Sequence, residues 1–103
     1  MSERLLQINF NLNVPKNEYE QAANSLVNEF AKLPGLIWKV WILNEEKSEA
    51  GGIYLFENQA SMDDYLTGSL AKTVTSHPAL SNFSIKQFTV MNDLTKITRG
   101  PLK

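Results

Sequence analysis

The apolar positions of this chain change period along its length. From Arg4 to Leu12 they alternate, with Leu6, Ile8, Phe10 and Leu12 on one side and Gln7, Asn9 and Asn11 on the other, which predicts a half-buried strand. After a turn at residues 13–17 the spacing becomes helical. From Glu18 onward Tyr19, Ala22, Ala23, Leu26, Phe30 and Leu33 recur on one face of an amphipathic helix, and Pro34-Gly35 stops it. Two runs rich in β-branched and aromatic residues follow, Leu36 to Leu43 and Glu49 to Phe56. The polar residues Asn44 to Ser48 join them, as in a hairpin.

The hairpin organises the rest. Trp38 and Trp41 point to opposite faces of its first strand, so neither face is polar. With the turn centred between Glu46 and Lys47, Trp41 lies opposite Gly52, Lys39 opposite Tyr54 and Ile37 opposite Phe56. On the other face Ile42, Val40 and Trp38 meet Gly51, Ile53 and Leu55. One face is therefore aliphatic and carries Trp38. The other is aromatic and carries a lysine.

Beyond the hairpin, Asn58 is placed to cap a second helix with Met62, Tyr65 and Leu66 on one side, and Asp63 and Asp64 near its start. Gly68-Ser69 interrupts it. Leu70 to Ser76 predicts a further short helix ending before Pro78. Phe83 to Met91 predicts a fourth strand, and a tail over residues 94–103 adds a short edge strand around Lys96 to Thr98. The order strand, helix, strand, strand, helix, strand is the ferredoxin-like split βαβ plan. It is an α+β fold, with a four-stranded antiparallel sheet and its helices on one face.

Two helices cover one face of such a sheet. The aliphatic face is assigned to them, which leaves Trp41, Tyr54, Phe56, Ile37 and Lys39 on the other. An apolar patch of that size asks for a partner, so a homodimer through the aromatic face is expected, with Lys39 paired to a glutamate such as Glu49 across the interface or, alternatively, binding an anionic group of a substrate.

Composition narrows the function classes. One domain is expected over residues 1–103, with ordinary apolar and charged fractions of 43% and 20%. A net charge of −1 without a basic stripe argues against nucleic acid as a partner. The absence of cysteine removes disulfides, thiolate catalysis and thiolate metal sites. No apolar run approaches the ~20 residues of a membrane span, and the first residues lack a basic segment followed by an apolar one. The expectation is a cytoplasmic protein.

The run Gly35-Leu36-Ile37-Trp38-Lys39-Val40-Trp41, followed by Glu49-Ala50-Gly51-Gly52-Ile53-Tyr54-Leu55-Phe56, resembles the signature of the YdhR-type mono-oxygenases. These are small dimeric α+β barrel proteins related to the antibiotic-biosynthesis mono-oxygenases. Leu5-Leu6-Gln7, Ser61 and Tyr65-Leu66 add to the likeness, which spans most of residues 4 to 91. The resemblance implies the barrel, the homodimer and a pocket between sheet and helices. It also implies a cofactor-independent mono-oxygenase acting on a small aromatic, anthrone- or quinol-like compound. The deprotonated substrate then supplies the electrons to dioxygen, with neither cofactor nor metal. The alternative is a non-catalytic small-ligand-binding or stress-response dimer of the same fold.

Such chemistry needs an apolar pocket, a group to assist proton removal and donors for a developing oxyanion. His77, the only histidine, is the catalytic candidate as base or hydrogen-bond partner at the pocket mouth; otherwise it is an exposed loop residue. Trp38 is the leading substrate-binding candidate, as the one bulky aromatic on the face given to the helices, unless it is plain core. Phe10 and Tyr65 complete an aromatic wall or belong to the core. Asn9, with Gln7 and Asn11, offers amide donors but falls on the face away from the helices.

Overall fold

A computed structural model describes residues 3–102. Strand β1 (Arg4–Leu12) leads into helix α1 (Lys16–Ala31), then strands β2 (Leu36–Asn44) and β3 (Glu49–Phe56). Helices α2 (Gln59–Leu66) and α3 (Ser69–Thr75) precede strand β4 (Leu80–Thr89), and helix α4 (Asn92–Ile97) closes the chain. The sheet is antiparallel between neighbours in the order β2-β3-β1-β4. β1 and β2 thus run parallel on either side of β3, with α1 as their crossover. This is the expected ferredoxin-like arrangement. Among the described residues no helix is long and apolar enough to cross a membrane.

Local chemistry sets the boundaries. Gly35, at φ 79°, takes the left-handed conformation that lets the chain leave α1 and enter β2. Asn58 caps α2 as its position predicts, its side chain accepting from the Ser61 amide at 2.8 Å. The hairpin register holds from Trp38 to Asn44: Trp41 pairs with Gly52, Lys39 with Tyr54 and Val40 with Ile53. It breaks one residue earlier. Leu36, not Ile37, lies opposite Phe56, because a bulge between Leu36 and Trp38 inserts one residue into the strand.

Two expectations are corrected. The tail residues 96–98 form no edge strand. Residues 92–97 are helical, with Asp93 in the first turn and Lys96 in the last, where each charge suits the helix dipole. Strand β4 also spans Leu80–Thr89 rather than Phe83 to Met91.

The larger correction concerns the faces of the sheet. Leu6, Ile8 and Phe10 of β1 are buried beneath the helices, and β1 pairs Leu6 with Tyr54 and Arg4 with Phe56. Partners in register share a face. Tyr54 and Phe56 therefore lie in the core with Phe30, Met62 and Tyr65, and the hairpin register puts Lys39 and Trp41 on the same face at its rim, Lys39 half-buried and Trp41 36% exposed. The aromatic face is the helix face. Trp38, Val40, Ile42, Ile53 and Leu55 occupy the opposite face, which is open at Val40 but closed at Leu55, fully buried beside Trp38 and the C-terminal segment.

Candidate functional site

The helix face is not filled evenly. Where α1 crosses β2 and β3, its core stripe carries Ala22 and Ala23, and the strand beneath carries Gly51-Gly52. Small residues on both sides leave a cavity of about 40 Å³. One water needs roughly 10–15 Å³, so the cavity has room for about three. Its aromatic wall is Phe10, Tyr19, Phe30, Trp41 and Tyr54. The segment after α3 supplies His77 and Ala79. A wider groove of about 510 Å³ adjoins it between α1 and the edge strand β2. The two share Tyr19, Ala23 and Trp41 as walls.

Lys39 is the one cation in the cavity wall. Its side chain crosses above Gly52, where a Cβ would stand 2.7 Å from Lys39 Cε and 3.2 Å from a Tyr54 ring carbon. The glycine is the seat of the lysine. Nζ lies 3.4 Å from the ring centroids of both Phe30 and Trp41 and 4.7 Å from that of Tyr54. Burial lowers the amine from its ordinary 10.5 to about 7. The ring faces act the other way, favouring the ammonium, but each contributes only ~0.5–2 kcal/mol against the loss of hydration.

The phenols are also perturbed. Tyr54 and Tyr65 share a hydrogen bond, hydroxyl to hydroxyl at 3.1 Å. Desolvation holds both, and Tyr19, above the ordinary phenol value, so they stay neutral hydrogen-bonding groups. His77 Nδ1 accepts the Ala79 amide hydrogen at 3.1 Å. An accepting nitrogen carries no proton, so the neutral ring holds its hydrogen on Nε2.

The residues singled out from sequence divide accordingly. Phe10 and His77 line the cavity. Tyr65 lies behind it, in contact through Tyr54. Trp38 does not reach it. The indole stands on the opposite face under the C-terminal segment, donating from Nε1 to the Pro101 carbonyl at 2.8 Å, where it lines a separate groove of about 580 Å³ with Leu55 and Phe88 and not the helix-face pocket in which it was expected. Lys39, Trp41, Tyr54 and Phe56 leave the open face on which a dimer interface was expected, and Ile37 sits at the bulge. The pairing of Lys39 with Glu49 fails for the same reason, since β3 alternation turns Glu49 to the other side of the sheet. Asn9 is on the open face as read from sequence, bonded to Gln7 at 2.9 Å.

Sequence reasoning missed Tyr19, Ala22, Ala23, Phe30 and Tyr54 as cavity residues. The usable signal was the alanine pair in a stripe of larger residues, facing a glycine pair. Among the described residues no group of three or more His, Asp or Glu side chains is placed to hold a metal ion.

Known structures share this architecture. SnoaB from Streptomyces nogalater, described as a cofactor-independent oxygenase, aligns with a TM-score of 0.73 at 17% identity over 89% of this chain and 96% of its own. A protein of unknown function from Nitrosomonas europaea gives 0.73 at 15% identity, over 88% and 91%. A protein from Thermobifida fusca described as dimeric and ferredoxin-like gives 0.68 at 16%, over 86% and 92%. At these identities the likeness is one of fold. Among curated proteins no match is found. The family model described as Putative mono-oxygenase ydhR matches residues 5–101, almost the full length, and the chain belongs to that family.

Proposed function

We propose that this protein is a cofactor-independent mono-oxygenase of small aromatic, anthrone-like compounds, working in the cavity beneath α1. The observation that carries the reading is an apolar, aromatic-walled cavity with one amine and one histidine at its edge, in a chain of a mono-oxygenase family. The balanced reaction converts a ring methylene to a carbonyl. The substrate gives up two hydrogens and four electrons, one oxygen atom enters the carbonyl and the other leaves as water. The substrate is itself the reductant.

In this reading the ring stacks on Trp41 and Tyr19, and His77 donates from Nε2–H to the oxyanion that develops on the substrate. A tricyclic compound exceeds the inner cavity, so it occupies the adjoining groove and reaches inward with its reactive edge. The small inner volume favours the competing reading, a ligand-binding dimer without turnover.

The homodimer is part of the proposal, now through the open face. Val40 (49% exposed) and Phe88 (46%) stand on it, and Leu94 (59%) and Ile97 (76%) extend the apolar surface along α4. A patch of this kind is usually covered in solution.

Oxygen-electrode measurements with an anthrone and with a quinol in metal-free buffer test the reaction. Enzyme-dependent oxygen uptake that falls at least tenfold in His77→Ala is expected. Saturable binding with no oxygen uptake would establish the non-catalytic reading instead.

A further inference from the structure

Lys39 has no part in the oxygenation chemistry above, and it is the least expected side chain in the cavity. Lys39 keeps part of its surface in solvent, yet an amine drawn this far out of water is normally paired with a carboxylate or hydrogen-bonded to carbonyls, because leaving its charge unpaired is costly. Here no described residue accepts a hydrogen bond from Nζ or brings a carboxylate to it. The elements packed around it contribute Tyr19 and Phe30 from α1, Phe10 from β1 and Tyr54 from β3. Tyr65 of α2 stands behind Tyr54, and His77 after α3 completes the wall. None is an acid. A methionine would fill the same space without the cost of desolvation, so the fold has no packing reason for a lysine. Nζ stands in the wall of a cavity that shares Tyr19, Ala23 and Trp41 with an open groove.

We propose that Lys39 is an anion-binding residue: it takes the negatively charged oxygen of a planar aromatic ligand, a carboxylate or an ionised phenol or enol, while the ring lies in the groove between α1 and β2. The inner cavity suits such a group, having room for a few waters and so for one or two oxygens. Trp41 serves both ends, as a stacking surface in the groove and as a ring beside Nζ. Glu20, in the wall of the groove, disfavours a second negative charge on the ligand. The amine, lowered to about 7 by burial, regains its proton when the anion arrives. This deepens the functional proposal, because a phenol or enol held as its anion has already lost the proton that oxygenation requires removed. It rests on the cavity as the ligand site, not on turnover.

The test compares anions with neutral partners of the same shape: 2-naphthoate against 2-naphthamide, and 4-nitrophenol above its pKa against 4-nitroanisole. Tryptophan fluorescence and calorimetry follow binding to the wild type, Lys39→Met and Lys39→Arg. At least one anion should bind the wild type ten or more times more tightly than its neutral partner. Lys39→Met should lose that preference while keeping affinity for the neutral compound, and Lys39→Arg should restore part of it. Calorimetry at pH 8 in two buffers of different ionisation enthalpy should show proton uptake with the wild type only. Which anion is preferred separates carboxylate from phenolate ligands. Equal affinity for anion and neutral partner, a preference that survives in Lys39→Met, or no binding of any of the four compounds overturns the proposal. Anion binding without oxygen uptake leaves it standing and removes the oxygenase reading.

Discussion

Lys39 and Trp41 stand two residues apart on one face of β2, and the lysine Nζ lies 3.4 Å from the centroid of the indole. Burial beside that ring lowers the amine to about 7, well below its unfolded value near 10.5. Between these values the unfolded chain holds a proton that the folded chain has released, so this group's contribution to stability rises with pH from about 7 toward 10.5. It is flat below that window. The slope is at most about 1.4 kcal/mol per pH unit. The phenols act oppositely. Their folded values are raised, so above about pH 10 the unfolded phenols ionise first and stability falls again. Lys39→Met should be more stable than the wild type by about 3–4 kcal/mol at pH 6, with the gap narrowing from pH 7 upward and nearly closed by pH 10. Urea denaturation at pH 6, 8 and 10 reads both trends. A variant less stable at pH 6 would show that the rings hold the ammonium more strongly than burial opposes it.

The adjacent glycines of β3 should behave differently. A Cβ on Gly51 would collide with the backbone carbonyl of Ile8 in β1, where nothing can yield without breaking the pairing. A Cβ on Gly52 meets the flexible end of Lys39 first. Gly51→Ala is expected to cost about 3 kcal/mol or more and Gly52→Ala about 1 kcal/mol. Thermal melts of the two variants provide the comparison. Gly52→Ala should also displace Lys39 and lose the preference for anions.

Trp38 holds the C-terminal segment to the open face through its bond to the Pro101 carbonyl. At the other end of α4, Asn92 donates to Glu3 at 2.7 Å. Trp38→Phe removes the first tie and keeps most of the apolar contact, so it should cost about 1 kcal/mol. The loss should be local. Hydrogen exchange should quicken in α4 while β1 and β3 stay protected, and uniform acceleration would contradict this.

Assembly should depend on the open face alone. Val40→Asp places a carboxylate at the expected interface and should weaken a dimer by more than about tenfold, since an unpaired buried carboxylate costs several kcal/mol. Trp41→Ala should lower the melting temperature without changing the assembly, because Trp41 packs against Phe30 at 5.2 Å on the helix face. Sedimentation velocity over a range of concentrations distinguishes the two. A wild type that stays monomeric at high micromolar concentration would remove the dimer from the proposal.

The sequence alone determined which residues stand together. The alternation of Leu6, Ile8 and Phe10, the stripe on α1 and the pairing of Trp41 with Gly52 are local consequences of a period or a short turn, and short-range sterics specify them. It did not determine which side of the hairpin meets the helices. Alternation divides residues into two sets without saying which set is covered, and here both sets are apolar. That choice belongs to the pairing of β1 with β3 and to the crossover of α1, which twisted strands permit in one hand only. The bulge at Ile37 and the turning of the tail into α4 likewise answer to packing against distant strands. The cavity follows from the same decision. Ala22, Ala23, Gly52 and Lys39 are unremarkable where they stand in the chain, and they become a site only because the crossover lays the alanines over the glycine and leaves an amine between them.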